Sequence, residues 1–166
     1  MTARTDVRLT TVCGEVVAAG DVPGLLPPNP QGGEVPRPEL LVLMSGDSLP
    51  PHGCYASVTG ELVGNRLMVT SWIQHSAVPG TPSAVPDSVG IPTEDSYQYQ
   101  ISLTIPDDWD LISFSGWSVG DGRDLAIVEV VRAESAVADW VSRQPKNAVC
   151  VFPFIRDADA PAVLQS

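Results

Sequence analysis

The residues of this chain that come closest to a metal-ligand set are two histidines and a cysteine. His52 and Cys54 are separated by one residue in the stretch HGC. If residues 54–63 and 66–75 form a hairpin around a Gly64-Asn65 turn, residues whose numbers sum to 129 face each other, and His75 lies opposite Cys54. Three ligands at most are then available, whereas a structural zinc site takes four. We therefore expect an ordinary strand end with a buried cysteine, without metal or cofactor.

Two acidic stretches could in principle supply oxygen ligands for calcium. Asp107, Asp108 and Asp110 lie in PDDWD, and Asp121 and Asp124 lie in GDGRD. Neither spacing matches an EF-hand loop, and aspartate is common in turns because its side chain bonds nearby backbone amides. The chain also contains no GxSxG elbow and no glycine-rich phosphate loop. We therefore expect turns at both places and no enzymatic activity.

The stretch GCYASVTGELVGNRLMVTSW reads as a long hairpin with two different faces. Alternation predicts that Val58, Leu62 and Val69 share an apolar face towards the core. The other face carries Tyr55, Arg66 and Trp72, and the register places the two aromatic rings diagonally next to each other. A proline-rich segment, 77–96, either covers this aromatic pair or leaves it as a platform for a ligand, and we expect it to cover the pair.

The stretch LISFSGWSVGDGRDLAIVEVV predicts a second hairpin, and the nearly continuous apolar run over 125–131 indicates that its return strand is central. Trp117 lies near the tip of this hairpin and is exposed or caps the core there. The residues that we single out for ligand binding are Tyr55, Arg66, Trp72 and Trp117.

The elements that must position these residues are mainly β-strands. Runs rich in Val, Ile, Thr and aromatic residues alternate with turn residues, and only ESAVADWVSRQP has helical spacing, with Val137, Trp140 and Val141 on one face and Ser135 as N-cap. The fold class is therefore a small antiparallel barrel or Greek-key sheet with one short helix near the C-terminus.

The chain divides into four parts by composition. A barrel-like half (1–76) is followed by a proline-rich loop or linker (77–96). A region of strands and one helix (97–156), which includes a strand over YQYQISLTI, packs with the first half as one domain and precedes an unstructured tail (157–166). Pro153 should place the last strand, residues 147–156, at a sheet edge or end its pairing there, because proline cannot donate to a ladder.

The glycine-interrupted first strand, the apolar second strand and the closing hairpin together resemble the first part of an OB-fold barrel, over Asp6–Ile73. Gly14 and Gly60 are the positions where long strands could bend sharply. The resemblance implies a ligand across the barrel face near the hairpin, commonly a single-stranded nucleic acid, an oligosaccharide or a protein partner. The basic groove of a nucleic-acid binder is missing, since Arg66 is the only cation on that face and Glu61 offsets it.

The charge balance of the chain argues against nucleic acid as a general binding partner. The 166 residues carry 20 acidic and 9 basic side chains, a formal net charge of −11, and Lys146 is the only lysine. Generic nucleic-acid binding is therefore disfavoured.

The sequence also bears on location and redox state. No apolar run has the length of a membrane span or signal peptide. The odd number and wide spacing of Cys13, Cys54 and Cys150 suggest reduced thiols rather than a disulfide framework.

The composition leads us to expect an acidic, cytoplasmic, non-enzymatic interaction protein with a protein partner. One concrete form is an inhibitor or immunity-type protein that masks a basic partner surface. The alternatives are an OB-like binder of single-stranded nucleic acid or oligosaccharide through Tyr55 and Trp72, and a small enzyme. The oligomeric state is left open.

Overall fold

A computed structural model describes residues 8–28 and 38–166, and in them the chain is mainly β. The strands and helices are β1 (Thr10–Ala19), β2 (Val22–Leu26), β3 (Val42–Ser45), β4 (Tyr55–Val63), β5 (Arg66–His75), β6 (Ile91–Pro92), α1 (Thr93–Ser102), β7 (Leu111–Gly120), β8 (Arg123–Arg132), α2 (Ser135–Ser142), β9 (Val149–Asp157) and β10 (Leu164–Gln165). Short 3-10 turns lie at Pro38–Leu40 and Pro82–Ala84.

The first five strands are paired in a ring. Their order is β2-β3-β5-β4-β1, and β1 also pairs with β2, so the sequence of pairings returns to its start. β3 and β5 run parallel, and the other neighbours are antiparallel. A core of buried aliphatic side chains lies on one side of these strands, including Val12, Val16, Leu25, Met44, Val58 and Leu67. The mainly β class predicted from the strand pattern is confirmed. We call this cluster the barrel core, after the small barrel that the OB resemblance implies.

The hairpin of β4 and β5 departs from the predicted register. Pairs that sum to 129 extend from Val63 and Arg66 at the turn to Gly60 and Val69. Thr70 then has no partner opposite it, and its hydroxyl donates to the Thr59 carbonyl at 3.1 Å. Such an extra residue is a β-bulge, which bends and twists a strand.

The bulge reverses which side chains face the core for the rest of β5. Beyond it Thr59 faces Ser71, and Tyr55 faces His75 in place of the predicted Cys54. Because side chains alternate along a strand, the shift by one residue moves Trp72 to the core side and His75 to the outer side. The predicted register is therefore wrong between the bulge and the strand end.

The second half of the chain extends the same sheet. β8 and β9 run parallel and are connected through α2, while β9 pairs at its far end with β1. Both faces of β8 are buried: Ala126, Val128 and Val130 lie on the α2 side, and Leu125 and Ile127 lie on the other. Near-continuous apolar sequence is what a parallel strand covered on both faces requires.

Residues 8–28 and 38–166 contain two helices where one was predicted. α2 confirms the predicted helix, and Val137, Trp140 and Val141 are buried, but the N-cap is Glu134 rather than Ser135 and no side chain caps it. α1 occupies most of the stretch predicted as a strand. Its first turn carries Glu94 and Asp95, which helix N-termini favour, so acidic residues after Pro92 outweigh the alternation of YQYQ.

β9 contains Pro153 and is not at a sheet edge, so the other predicted outcome, an end of pairing at the proline, is found on the side that faces β1 and β10. The Val149 carbonyl accepts a hydrogen bond from the Ser166 amide on the β10 side. Backbone groups of residues that are two or four apart in a strand point to the same side, so the Pro153 nitrogen faces that side too. There β10 pairs with residues 150–151 and β1 with residues 155–157, which leaves Pro153 in the gap between two ladders. The missing amide proton of Pro153 therefore costs no ladder bond.

The tail (157–166) was predicted to be unstructured, but it contributes the short strand β10, which pairs with β9.

Candidate functional site

The aromatic pair predicted on the hairpin does not form. Trp72 packs against the barrel core and its Nε1 donates to Ser48 Oγ at 3.4 Å, whereas Tyr55 lies on the opposite face beside Glu15. Both rings are half-buried, and burial, followed by the charge of Glu15, raises the pKa of Tyr55. A single platform built from the two rings is therefore excluded by the bulge.

The other predicted site residues are dispersed. Arg66 is exposed at the hairpin turn opposite Val63. Trp117 packs on the cluster around Leu125, and its Nε1 donates to Ser115 Oγ at 2.7 Å, so it caps the core rather than standing free.

The three weak metal candidates are not brought together by the hairpin either. Cys54 packs towards the barrel core, His75 lies on the outer face, and His52 is exposed. In residues 8–28 and 38–166, no group of three or more His, Cys, Asp or Glu side chains is placed to hold a metal ion.

An acidic pocket of about 250 Å³ lies where the loop before β7 meets the start of α2. We define it by Asp108, Trp109, Asp110, Arg132 and Glu134, which line it together with Val131, Ala136 and Val137. Three acidic residues and one arginine therefore contribute to its lining, which leaves an excess of negative charge. Such a lining favours a cationic guest.

The walls of the acidic pocket are firmly anchored. Trp109 packs edge-on against Trp140, with ring centroids 5.1 Å apart and an interplanar angle of 71°. The Asp110 carbonyl accepts a bond from the Val131 amide at 2.9 Å, which fixes the loop to β8. Trp109 and the acidic residues line the same cavity, an arrangement suited to an ammonium or guanidinium group near an aromatic ring.

A second pocket, of about 240 Å³, lies on the outer face of β4 and β5. Cys13, Ser57 and His75 line it, and we call it the serine–histidine pocket. Ser57 Oγ lies 2.7 Å from His75 Nε2, because the bulge carries His75 to the face of Ser57. The remaining walls are mostly apolar and come from the proline-rich segment, β9 and the tail: Ser76, Ala77, Pro79, Ala84, Phe152, Ala162 and Val163.

The electrostatics of this second pocket keep its side chains neutral. Burial, and then the charge of Arg156, lowers the pKa of His75. Burial raises the pKa of the Cys13 thiol, and a hydrogen bond with Ser57 and the charge of Arg156 oppose that rise only in part. Burial lowers the pKa of Arg156 itself, and its buried Nε has no hydrogen-bond partner. At neutral pH we therefore expect an imidazole beside a hydroxyl and a protonated thiol.

Sequence reasoning missed both pockets for the same reason. Each joins residues that are distant in the chain and meet only through strand pairing, as Cys13 meets Ser57 across β1 and β4. The acidic run around Trp109 was visible in the sequence, but its proximity to Glu134 depends on the path from β7 to α2.

The comparisons with known proteins assign this chain to no family. No family model matches it, and neither curated proteins nor solved structures provide a match. Within the described residues, no helix is long and apolar enough to cross a membrane.

Proposed function

We propose that this protein is an acidic interaction protein that binds a basic protein partner. The observation that carries the proposal is the acidic pocket, a cavity of about 250 Å³ whose lining includes three acidic residues, one arginine (Arg132) and Trp109. Its size and charge suit the side chain of a lysine or arginine from the partner. An inhibitor or immunity-type protein that masks a basic surface is the concrete form that we favour, and this role needs no catalytic group.

The overall charge supports the same partner class. A net charge of −11 attracts a basic protein over distances of about a Debye length, which speeds encounter and makes binding sensitive to salt. It also disfavours generic nucleic acid as a partner.

The cysteines support a cytoplasmic location as part of this proposal. Cys13, Cys54 and Cys150 are all free thiols, which persist in a reducing compartment.

The alternative function, an OB-like binder of single-stranded nucleic acid or oligosaccharide through Tyr55 and Trp72, receives less support. Its stacking platform required both rings on one face, and the bulge separates them.

The experiment that tests the proposed function compares two variants with equal loss of charge. Asp108→Asn/Glu134→Gln neutralises the acidic pocket, while Asp95→Asn/Asp121→Asn neutralises two exposed carboxylates elsewhere. Each protein is immobilised and used to capture basic proteins from a lysate of the source cells at 0.15 M salt. We expect one basic protein to be retained by the wild type and the control variant and lost by the pocket variant.

Two results would count against the proposed function. Equal retention of the same proteins by both variants would mean that bulk charge, and not the acidic pocket, causes binding. A captured set without basic proteins would reject the partner class.

A further inference from the structure

The serine–histidine pocket contains the two groups that nucleophilic catalysis by serine requires. A hydroxyl and an imidazole nitrogen within about 2.6–3.2 Å of each other have the geometry that a nucleophile and its base require. Ser57 Oγ and His75 Nε2 are 2.7 Å apart, and both side chains line the same cavity. The pair is therefore positioned beside a space that could hold a reacting molecule.

The neighbours of this pair favour Ser57 over Cys13 as the nucleophile. Arg156 lowers the pKa of both His75 and Cys13, while Ser57 and Glu129 also act on the pKa of Cys13, in opposite directions. A neutral His75 can accept a proton at Nε2, and a protonated Cys13 thiol is a poor nucleophile. The positive charge of Arg156 would favour an oxyanion that develops near Ser57.

The shape of the pocket limits the substrate class. Its walls are mainly small or apolar side chains, among them Ala77, Pro79, Ala84 and Phe152. A cavity of about 240 Å³ with such walls suits a short aliphatic acyl group rather than a charged or sugar-like one.

We propose that the serine–histidine pocket is an acyl-transfer site that acts on esters with a small apolar acyl group, with Ser57 as nucleophile and His75 as general base. The Ser57 oxygen forms a bond to the carbonyl carbon while its proton passes to His75 Nε2. The ester C–O bond breaks, and the alcohol leaves with that proton. Water then attacks the acyl-serine, gives a proton to His75, and releases the carboxylic acid as the proton returns to Ser57. This activity is independent of the proposed binding of a basic partner.

The test uses the full-length protein and p-nitrophenyl butyrate, with release of p-nitrophenol as the readout. We expect Ser57→Ala and His75→Gln each to lower the rate by about 100-fold or more, the scale that general-base catalysis contributes. Ser71→Ala is the matched control, because Ser71 is an exposed serine on the same hairpin and should leave the rate unchanged. Thermal melts identify any variant that fails to fold.

A labelling measurement on the wild type keeps the proposal testable even if a variant unfolds. A fluorophosphonate probe should modify Ser57, as mapped by peptide mass spectrometry, and butyrate ester should slow the labelling. Labelling of Cys13 or of other serines in preference to Ser57 would overturn the proposal. So would a wild-type hydrolysis rate equal to that of a folded Ser57→Ala variant.

Discussion

The bulge in β5 makes a sharp prediction for two neighbouring residues, Trp72 and Ile73. Trp72 packs against the barrel core, whereas Ile73 is 68% exposed. Truncation of a fully buried tryptophan to alanine costs about 3–5 kcal/mol, and the partial burial of Trp72 reduces this to about 2 kcal/mol. Truncation of an exposed side chain usually changes stability by less than about 0.5 kcal/mol. We therefore expect Trp72→Ala to be the more damaging change by about 1.5 kcal/mol or more.

The assay is urea unfolding followed by far-UV circular dichroism, with both variants measured beside the wild type. Unchanged slopes would show that the midpoints report stability alone. A register that summed to 129 along the whole hairpin would place Ile73 inward and Trp72 outward. An Ile73→Ala variant that loses as much free energy of unfolding as Trp72→Ala would therefore refute the bulge.

Three other expectations follow from burial and backbone geometry. Burial raises the pKa of Cys150 to about 11, so iodoacetamide at pH 8 should alkylate Cys54 before Cys150 in the native protein, as peptide mass spectrometry can show. Burial raises the pKa of Glu129 above 4.5, although the hydrogen bond that Ser113 donates to it lowers the pKa in part. Ionisation of Glu129 therefore costs the folded state free energy as the pH rises above 4.5. In urea titrations between pH 4.5 and 7, the Glu129→Gln variant should be more stable than the wild type. Pro153→Ala should change the free energy of unfolding by no more than about 1 kcal/mol in the same assay, because the new amide would face the gap between β1 and β10.

Patterns within short stretches of sequence correctly predicted a helix, a buried strand and a hairpin turn. The spacing of Val137, Trp140 and Val141 predicted α2, and the apolar run over 125–131 predicted a buried strand, since both depend on which face meets the core. The Gly64-Asn65 turn was also correct, and Gly64 has a positive φ of 61° there, as a two-residue hairpin turn requires.

The missed features depend on contacts that no short window contains. The bulge lies beside Gly60, where the two strands approach so closely that a Cβ would collide with the Met68 carbonyl. The sequence of β5 alternates about equally well in both registers, so its pattern does not show where the register shifts by one residue. Pro153 indicates either an edge strand or an end of pairing, and the sequence does not show that β1 and β10 leave a gap opposite it. The pairing of Ser57 with His75 depends on that same bulge.

An NMR titration can test our claim that the acidic pocket binds a basic side chain. The indole N–H signal of Trp109, assigned with Trp109→Phe, is followed while N-acetyl-arginine amide is added. The neutral isostere N-acetyl-citrulline amide is the matched control. We predict a saturable shift with the arginine compound alone, which weakens with added salt and disappears in Asp108→Asn/Glu134→Gln. An indole signal that does not move, or that moves equally with both compounds, would contradict the claim.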